Sequence, residues 1–219
     1  TVGARHGMSA HNLQNRVDPW GELRAVSSRG TLMGNRGILH DDVNRIVRPW
    51  AHKAWVTCLL EFNGIKRPKP FSPGNYSELF FVDEATAFAA GHRPCAHCQR
   101  ARHREFKDAW VRANVADEPS AATLMPAIDR VLHAERCVPG GRKATFDAPL
   151  VELPRGAMFE YEGAAYLVAG AGYAPWSFDG YGAAKDIDGA SVVKVLTPQS
   201  VIRVFDEGFM PVVHSSARV

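Results

Sequence analysis

Apolar positions in this chain fall into short blocks separated by glycine and proline. The period within each block sets what it can form. Trp55 to Phe62 (WVTCLLEF) is β-branched, aromatic and apolar, and reads as a buried strand with Cys58 in its middle. Tyr76 to Val82 (YSELFFV) reads as a second strand. Asp83 then serves as N-cap of an alanine-rich helix through Ala90, stopped by Gly91. Arg93, Pro94 and Cys95 form a turn. A longer helix follows from Ala96 or Cys98 to about Val115, with Phe106, Trp110 and Val111 near helical spacing. After a polar break at Asp117 to Ser120, Leu124 to Arg136 reads as another helix, with Ile128, Val131 and Leu132 apolar.

The stretches between these blocks are turn-rich. Asn12 to Arg36 carries Gly, Asn, Arg and Pro19 and reads as irregular turns and short strands. His40 to Val47 is expected to be a short helix ended by Pro49. Asn63 to Asn75, with Pro68, Pro70 and Pro73, is a loop exposing Lys66, Arg67 and Lys69. Cys137 to Ala144, with Pro139, Gly140 and Gly141, reads as a linker. Beyond residue 145 the pattern becomes short strands (Ala157 to Tyr161, Ala164 to Ala169, Ser191 to Leu196) divided by glycines. A last helix starts with Thr197 as N-cap and Pro198 at its first position and ends near Gly208. The expected fold is α+β: a mixed part over 8–144 holding a small module at about 55–115, then a β-rich part over 145–219 with a final short helix. Thr1 to Gly7 are set aside from the fold reading.

Composition changes this picture little. Of the 219 residues 46% are hydrophobic and 22% charged, as in ordinary globular chains. Thr1 to Ser9 lacks the apolar core of a signal peptide, and no run of about 18 apolar residues exists to span a membrane. A cytoplasmic setting is therefore expected, in which thiols stay reduced. The net charge of +3 permits nucleic-acid binding without arguing for it, but its distribution says more. His92 to Lys107 holds Arg93, Arg100, Arg102, Arg104 and Lys107 against the single acid Glu105, beside a cysteine pair.

The four cysteines are Cys58, Cys95, Cys98 and Cys137. A CxxC turn such as Cys95-Ala96-His97-Cys98 can chelate one ion with two thiolates and needs further ligands from elsewhere. Leu79 to Gln99 (LFFVDEATAFAAGHRPCAHCQ) resembles the second half of the metal-binding domain of the Ada DNA-repair family. There, a strand ending in an aromatic pair leads to an alanine-rich helix, Ala-Ala-Gly, an aromatic residue, Arg-Pro-Cys, two residues and a final Cys. Ala89, Ala90, Gly91, Arg93, Pro94, Cys95 and Cys98 match, with His92 at the aromatic position. The resemblance implies a zinc-bearing module and DNA as partner. In the family two further cysteines, four apart, come earlier, and the first also accepts a methyl group from a DNA phosphotriester. The resemblance places Cys58 at or near that first position, with Phe62 four residues later. The expected ligands are Cys58, Cys95, Cys98 and His103, which gives a C-x2-C-x4-H run; Cys137, His97 and water remain alternatives for the fourth position. Arg93, Arg100 and Arg104 are the expected phosphate contacts.

Other polar groups suggest chemistry. Asp129, His133 and Arg136 lie at i, i+4 and i+7 on one helical face, where a carboxylate can orient an imidazole; a solvated face is the alternative. Asn35, Arg36, His40, Asp41 and Asp42 gather polar groups between glycines, where His40 with Asp41 or Asp42 forms a second candidate for catalysis or cation binding, with turn and N-cap formation as the alternative. Trp20, Trp50, Tyr173 and Trp176 could stack on bases or pack loops, and His214 could be a ligand. No GxGxxG, P-loop, GxSxG or HExxH pattern occurs. Three functions follow. The first is a zinc-containing DNA-binding protein linked to repair or modification. The second is a nuclease- or glycosylase-type hydrolase with structural zinc, using His40, Asp41, Asp129 and His133. The third is a non-enzymatic interaction scaffold.

Overall fold

The computed structural model describes residues 12–64, 69–115 and 124–217. Lys66, Arg67, the break at Asp117 to Ser120 and the first eleven residues lie outside them. Two six-stranded sheets and four helices make an α+β fold.

The first sheet joins β1 (Arg16–Val17), β2 (Leu23–Arg24), β3 (Leu32–Asn35), β4 (Val56–Leu59), β5 (Leu79–Phe81) and β6 (Arg93–Pro94) in the order β2-β1-β5-β3-β4-β6. β3 runs antiparallel to β4 and β5; β1 with β5 and β4 with β6 are parallel. Gly30 and Gly34 allow this packing, because a Cβ on either would lie 2.4 Å from an atom of Phe81.

The second sheet holds β7 (Phe146–Pro149), β8 (Met158–Tyr161), β9 (Ala164–Ala169), β10 (Gly172–Ser177), β11 (Gly180–Tyr181) and β12 (Val192–Val195), antiparallel throughout in the order β11-β10-β9-β8-β12-β7. The β8–β9 hairpin turns through Glu162 and Gly163, both at positive φ (50° and 77°), as a two-residue turn of the tightest twist-matched kind requires.

The helix α1 (Glu84–Ala89) is the strut between the sheets, and its alanines are the reason it fits. Ala87, with Ala90 just beyond, packs on Val17, Leu39, Leu79 and Phe81 of the first sheet side. Ala85 and Ala89 pack on Met158, Leu167 and Ala174 of the second. Phe88 enters a third cluster with Phe106, Ile128, Leu132, Val204 and Phe205, contributed by α2 (Arg100–Asn114), α3 (Met125–Arg136) and α4 (Gln199–Asp206). Asp83 caps α1 by accepting from Thr86 N–H at 2.8 Å and also accepts from the Tyr181 hydroxyl and His214 N–H. Glu84 accepts from Val212 N–H and pairs with Arg102, so the α1 N-terminus pins the C-terminal segment. Apolar clusters therefore run across residue 145.

Most expected elements are present, with ends trimmed by one to three residues. The helix expected over His40 to Val47 is absent. The Asp41 carboxylate accepts from Val43 and Arg45 N–H, diverting the backbone into a turn, and His40 bridges to Ile46 as extended chain. The last helix is capped by Pro198 rather than Thr197, whose hydroxyl instead accepts from Met158 N–H. Cys137 to Ala144 folds back on itself through a bridge between Cys137 and Lys143. Among the described residues no helix is long and apolar enough to cross a membrane.

Candidate metal centre

β4 and β6 run side by side and in the same direction, with Val56 opposite Arg93 and Thr57 opposite Pro94. Continuing that register by one residue carries Cys95 alongside Cys58. The Cys95 N–H donates to Thr57 O at 2.9 Å, and the Gln99 side-chain amide donates to the same oxygen at 2.9 Å. Along β4 the side chains alternate: Trp55 and Thr57 are buried on one face, while Val56 and Cys58 are half-buried on the other. The CxxC turn closes when Gln99 N–H donates to Cys95 O, which also starts α2. As a result the thiol sulfurs of Cys58, Cys95 and Cys98 all lie within 4.8 Å of one another.

The Cys58 thiol hydrogen-bonds the Cys95 sulfur, which pushes the Cys58 pKa up and draws Cys95 down to about 4. Backbone N–H groups of Cys98 and His97 also point at the Cys95 sulfur, the latter at 3.4 Å. Burial raises Cys98, partly offset by the Leu59 N–H. Preset N–H donors around sulfur favour thiolates, the form that binds metal. A tetrahedral ion with thiolate bonds of about 2.3 Å spaces its sulfurs about 3.8 Å apart, within reach of this arrangement. The three cysteines can thus hold one metal ion.

Among the described residues the group of potential ligands stops at three. His103 does not join it: its Nδ1 donates to Pro94 O at 3.1 Å, because the first turns of α2 carry the ring back over β6. Cys137 sits elsewhere, 3.9 Å from both ring nitrogens of His133. Phe62 contacts the exposed His97 ring at 5.2 Å between centroids.

The expected acid–base constellations do not assemble. Both Asp129 oxygens accept from Arg93, at 2.7 Å each, so Asp129 does not orient His133. Arg93 is correspondingly buried and unavailable to phosphate. The His133 Nδ1 accepts from Arg136, and burial with Arg136 and Lys53 nearby lowers its pKa to about 4. His40 stacks on Phe71 at 4.6 Å and hydrogen-bonds Ser77, and Asp41 pairs with Arg45. His214 hydrogen-bonds Ser216. Trp20 and Trp176 spend their indole N–H groups on Glu160 and Thr86. Arg100 and Arg104 are exposed on one face of α2. Sequence reasoning did not group Arg36, Arg136 and Lys143, of which the fold brings Arg36 and Arg136 onto Trp55 with Lys143 acting on both; its traces were Arg36 in the polar run with His40 and Arg136 on the face of Asp129 and His133.

Comparison of the chain with family models, with curated proteins and with solved structures returns no match.

Proposed function

We propose that this protein is a zinc-containing DNA-binding protein in which the metal fixes the junction of β4, β6 and α2. The observation that carries this reading is the approach of the Cys58 sulfur to those of Cys95 and Cys98. Cys58 lies far off in sequence, and its meeting with a CxxC turn is what a chelating site needs. Thiolate donors select zinc among the common divalent ions of a reducing compartment. The resemblance of Leu79 to Gln99 to the Ada metal-binding domain points the same way and supplies DNA as the partner. Helix α2 begins two residues after Cys98, so an ion there would anchor its first turn and hold the exposed Arg100 and Arg104 at fixed spacing.

The test has two parts. Metal analysis of the purified chain is expected to give about one zinc per chain, with Cys58→Ser lowering retention as much as Cys95→Ser. A Cys58→Ser protein that keeps its metal contradicts the ligand set. Titration against short duplex DNA at two salt concentrations is expected to show salt-dependent binding. Joint replacement of Arg100 and Arg104 should weaken it on every sequence and reduce the salt slope by about one per lost phosphate contact. Absence of binding at low salt removes DNA as the partner.

A further inference from the structure

On the buried face of the same strands lies a second collection of charge, of opposite sign. Arg36 and Arg136 are each only 2% exposed, and the carbon of each guanidinium lies about 4 Å from the centre of the Trp55 ring (4.0 and 3.9 Å). The Lys143 ammonium joins them, donating to Ala89 O. Among the described residues none of the three forms an ion pair with a carboxylate. The Cys137 thiol acts on them from nearby but is held in its neutral form by burial, and the nearby carboxylates are already committed. Asp18 accepts from Arg24 and from Glu22 N–H, and Asp129 is held by Arg93.

Their hydrogen bonds go to neutral groups. Arg36 donates to Gly21 O and His92, and Arg136 to Gly91 O, Lys53 O and His133. One terminal nitrogen of Arg36 and the Nε of Arg136 are buried without any partner. Isolated buried cations are strongly disfavoured unless an anion meets them. Burial holds Lys143 down to about 7, reinforced by Arg136 and Arg36; both guanidiniums, held down to about 9, remain charged at neutral pH.

Arg36 and Arg136 line an open cavity of about 420 Å³. Gly21 borders it at φ +82°, beside the unpartnered Arg36 nitrogen, from which a Cβ there would sit 3.5 Å. The rest of the wall mixes apolar and aromatic residues, Trp20, Ile46 and Val47 among them, with polar ones such as Gln14, Arg24 and Arg48. The one carboxylate among the lining residues, Glu22, is paired with Arg24.

We propose that this cavity binds the phosphate monoester of a nucleotide, free or at the end of a strand, with Arg36 and Arg136 as its anchors. A phosphate monoester carries close to two negative charges at neutral pH, which suits several cations better than a single carboxylate does. Guanidinium N–H groups match phosphate oxygens in geometry. The cavity is larger than the anion, and Trp20, Ile46 and Val47 on its wall offer apolar surface to the sugar and base. The site uses none of the residues assigned to the metal or to duplex DNA, so it stands apart from that reading.

Isothermal titration of the intact protein tests it, with inorganic phosphate, a nucleoside 5′-monophosphate, the nucleoside alone, and a short single strand with and without its 5′-phosphate. The expected result is saturable binding of a phosphate carrier at one per chain and none by the nucleoside or the unphosphorylated strand. Binding of the mononucleotide marks a free nucleotide as the source; binding of the phosphorylated strand alone marks a strand end. Arg36→Gln should weaken binding tenfold or more. Val47→Glu, at an exposed position of the rim, should weaken it by charge repulsion without disturbing the core, and decides the matter if Arg36→Gln does not fold. Joint replacement of Arg100 and Arg104 should leave it unchanged. No binding of any phosphate carrier, equal binding of the bare nucleoside, or undiminished binding by the folded variants overturns the proposal.

Discussion

The two faces of β4 and its surroundings present opposite problems. On one, three sulfurs lie within 4.8 Å of one another; on the other, Arg36 and Arg136 stack on Trp55, with Lys143 acting on both. Between them Arg93 and Asp129 form a closed pair, with two hydrogen bonds of 2.7 Å. The difference teaches where this fold is complete and where it is built to be completed. The closed pair is satisfied from within. The two open clusters keep like charges or donors together, an arrangement that is costly unless a counterion arrives.

Breaking the closed pair should have the largest effect. Asp129→Ala leaves the Arg93 guanidinium buried and unpaired, and a loss of about 3–5 kcal/mol is expected, read by urea denaturation. A loss below about 1 kcal/mol would show that Arg93 escapes to solvent and would erase the contrast between closed and open clusters. Next comes the metal. Cys95→Ser, or a strong chelator, should remove the ion and cost about 3 kcal/mol, a fall in Tm of roughly 6–12 °C for a chain of this size. A chelator-insensitive Tm would mean that the cysteine cluster packs as closed core.

How far these clusters can be seen in sequence depends on how they are assembled. Cys95 and Cys98 share one CxxC turn, a moderate signal by spacing that the resemblance of Leu79 to Gln99 to the Ada metal-binding domain sharpens. Cys58 could be suspected as a ligand, but its meeting with Cys95 depends on the parallel pairing of β4 with β6, which no local pattern encodes. The cation cluster was visible only as separate members, never as a group. Arg36 follows β3, Arg136 ends α3, and Lys143 lies in a segment that read as a linker. Their convergence rests on long-range packing, including Gly91 at φ +85°, where a Cβ would lie 2.4 Å from the Arg136 side chain. The Asp129–His133 spacing misled for the same reason: a carboxylate with two candidate partners takes the bidentate Arg93, which periodicity on one helix cannot show.

A ligand for the open cavity should stabilise the protein by linkage. At a concentration 100 times its Kd, a nucleotide that binds the folded state alone adds about 2.7 kcal/mol, or roughly 5–10 °C in Tm. The increment should vanish in Arg36→Gln while chelator sensitivity persists, separating the two clusters in one set of melting curves. If Arg36→Gln also loses its metal, the clusters are coupled through β4 and β6 and are not independent sites.

The smallest effect concerns Lys143 and pH. In the unfolded chain its amine stays protonated up to about its ordinary value of 10.5, whereas in the folded protein it is held down to about 7. Between those values the unfolded chain binds more protons, so this group makes stability rise with pH from about 7 upward. Burial sets most of the shift; Arg136 and Arg36 lower it further, and Cys137 and Asp18 oppose them. Thiols elsewhere titrate over part of the same range, so the informative quantity is the difference between the wild-type protein and Lys143→Met, in which their contribution cancels. That difference should favour Lys143→Met most below pH 7 and shrink by about 2 kcal/mol between pH 7 and 9. A bound phosphate should hold the proton on Lys143 and flatten the change over the same interval. A difference independent of pH, with and without nucleotide, would mean that the ammonium reaches water and does not belong to the cation cluster.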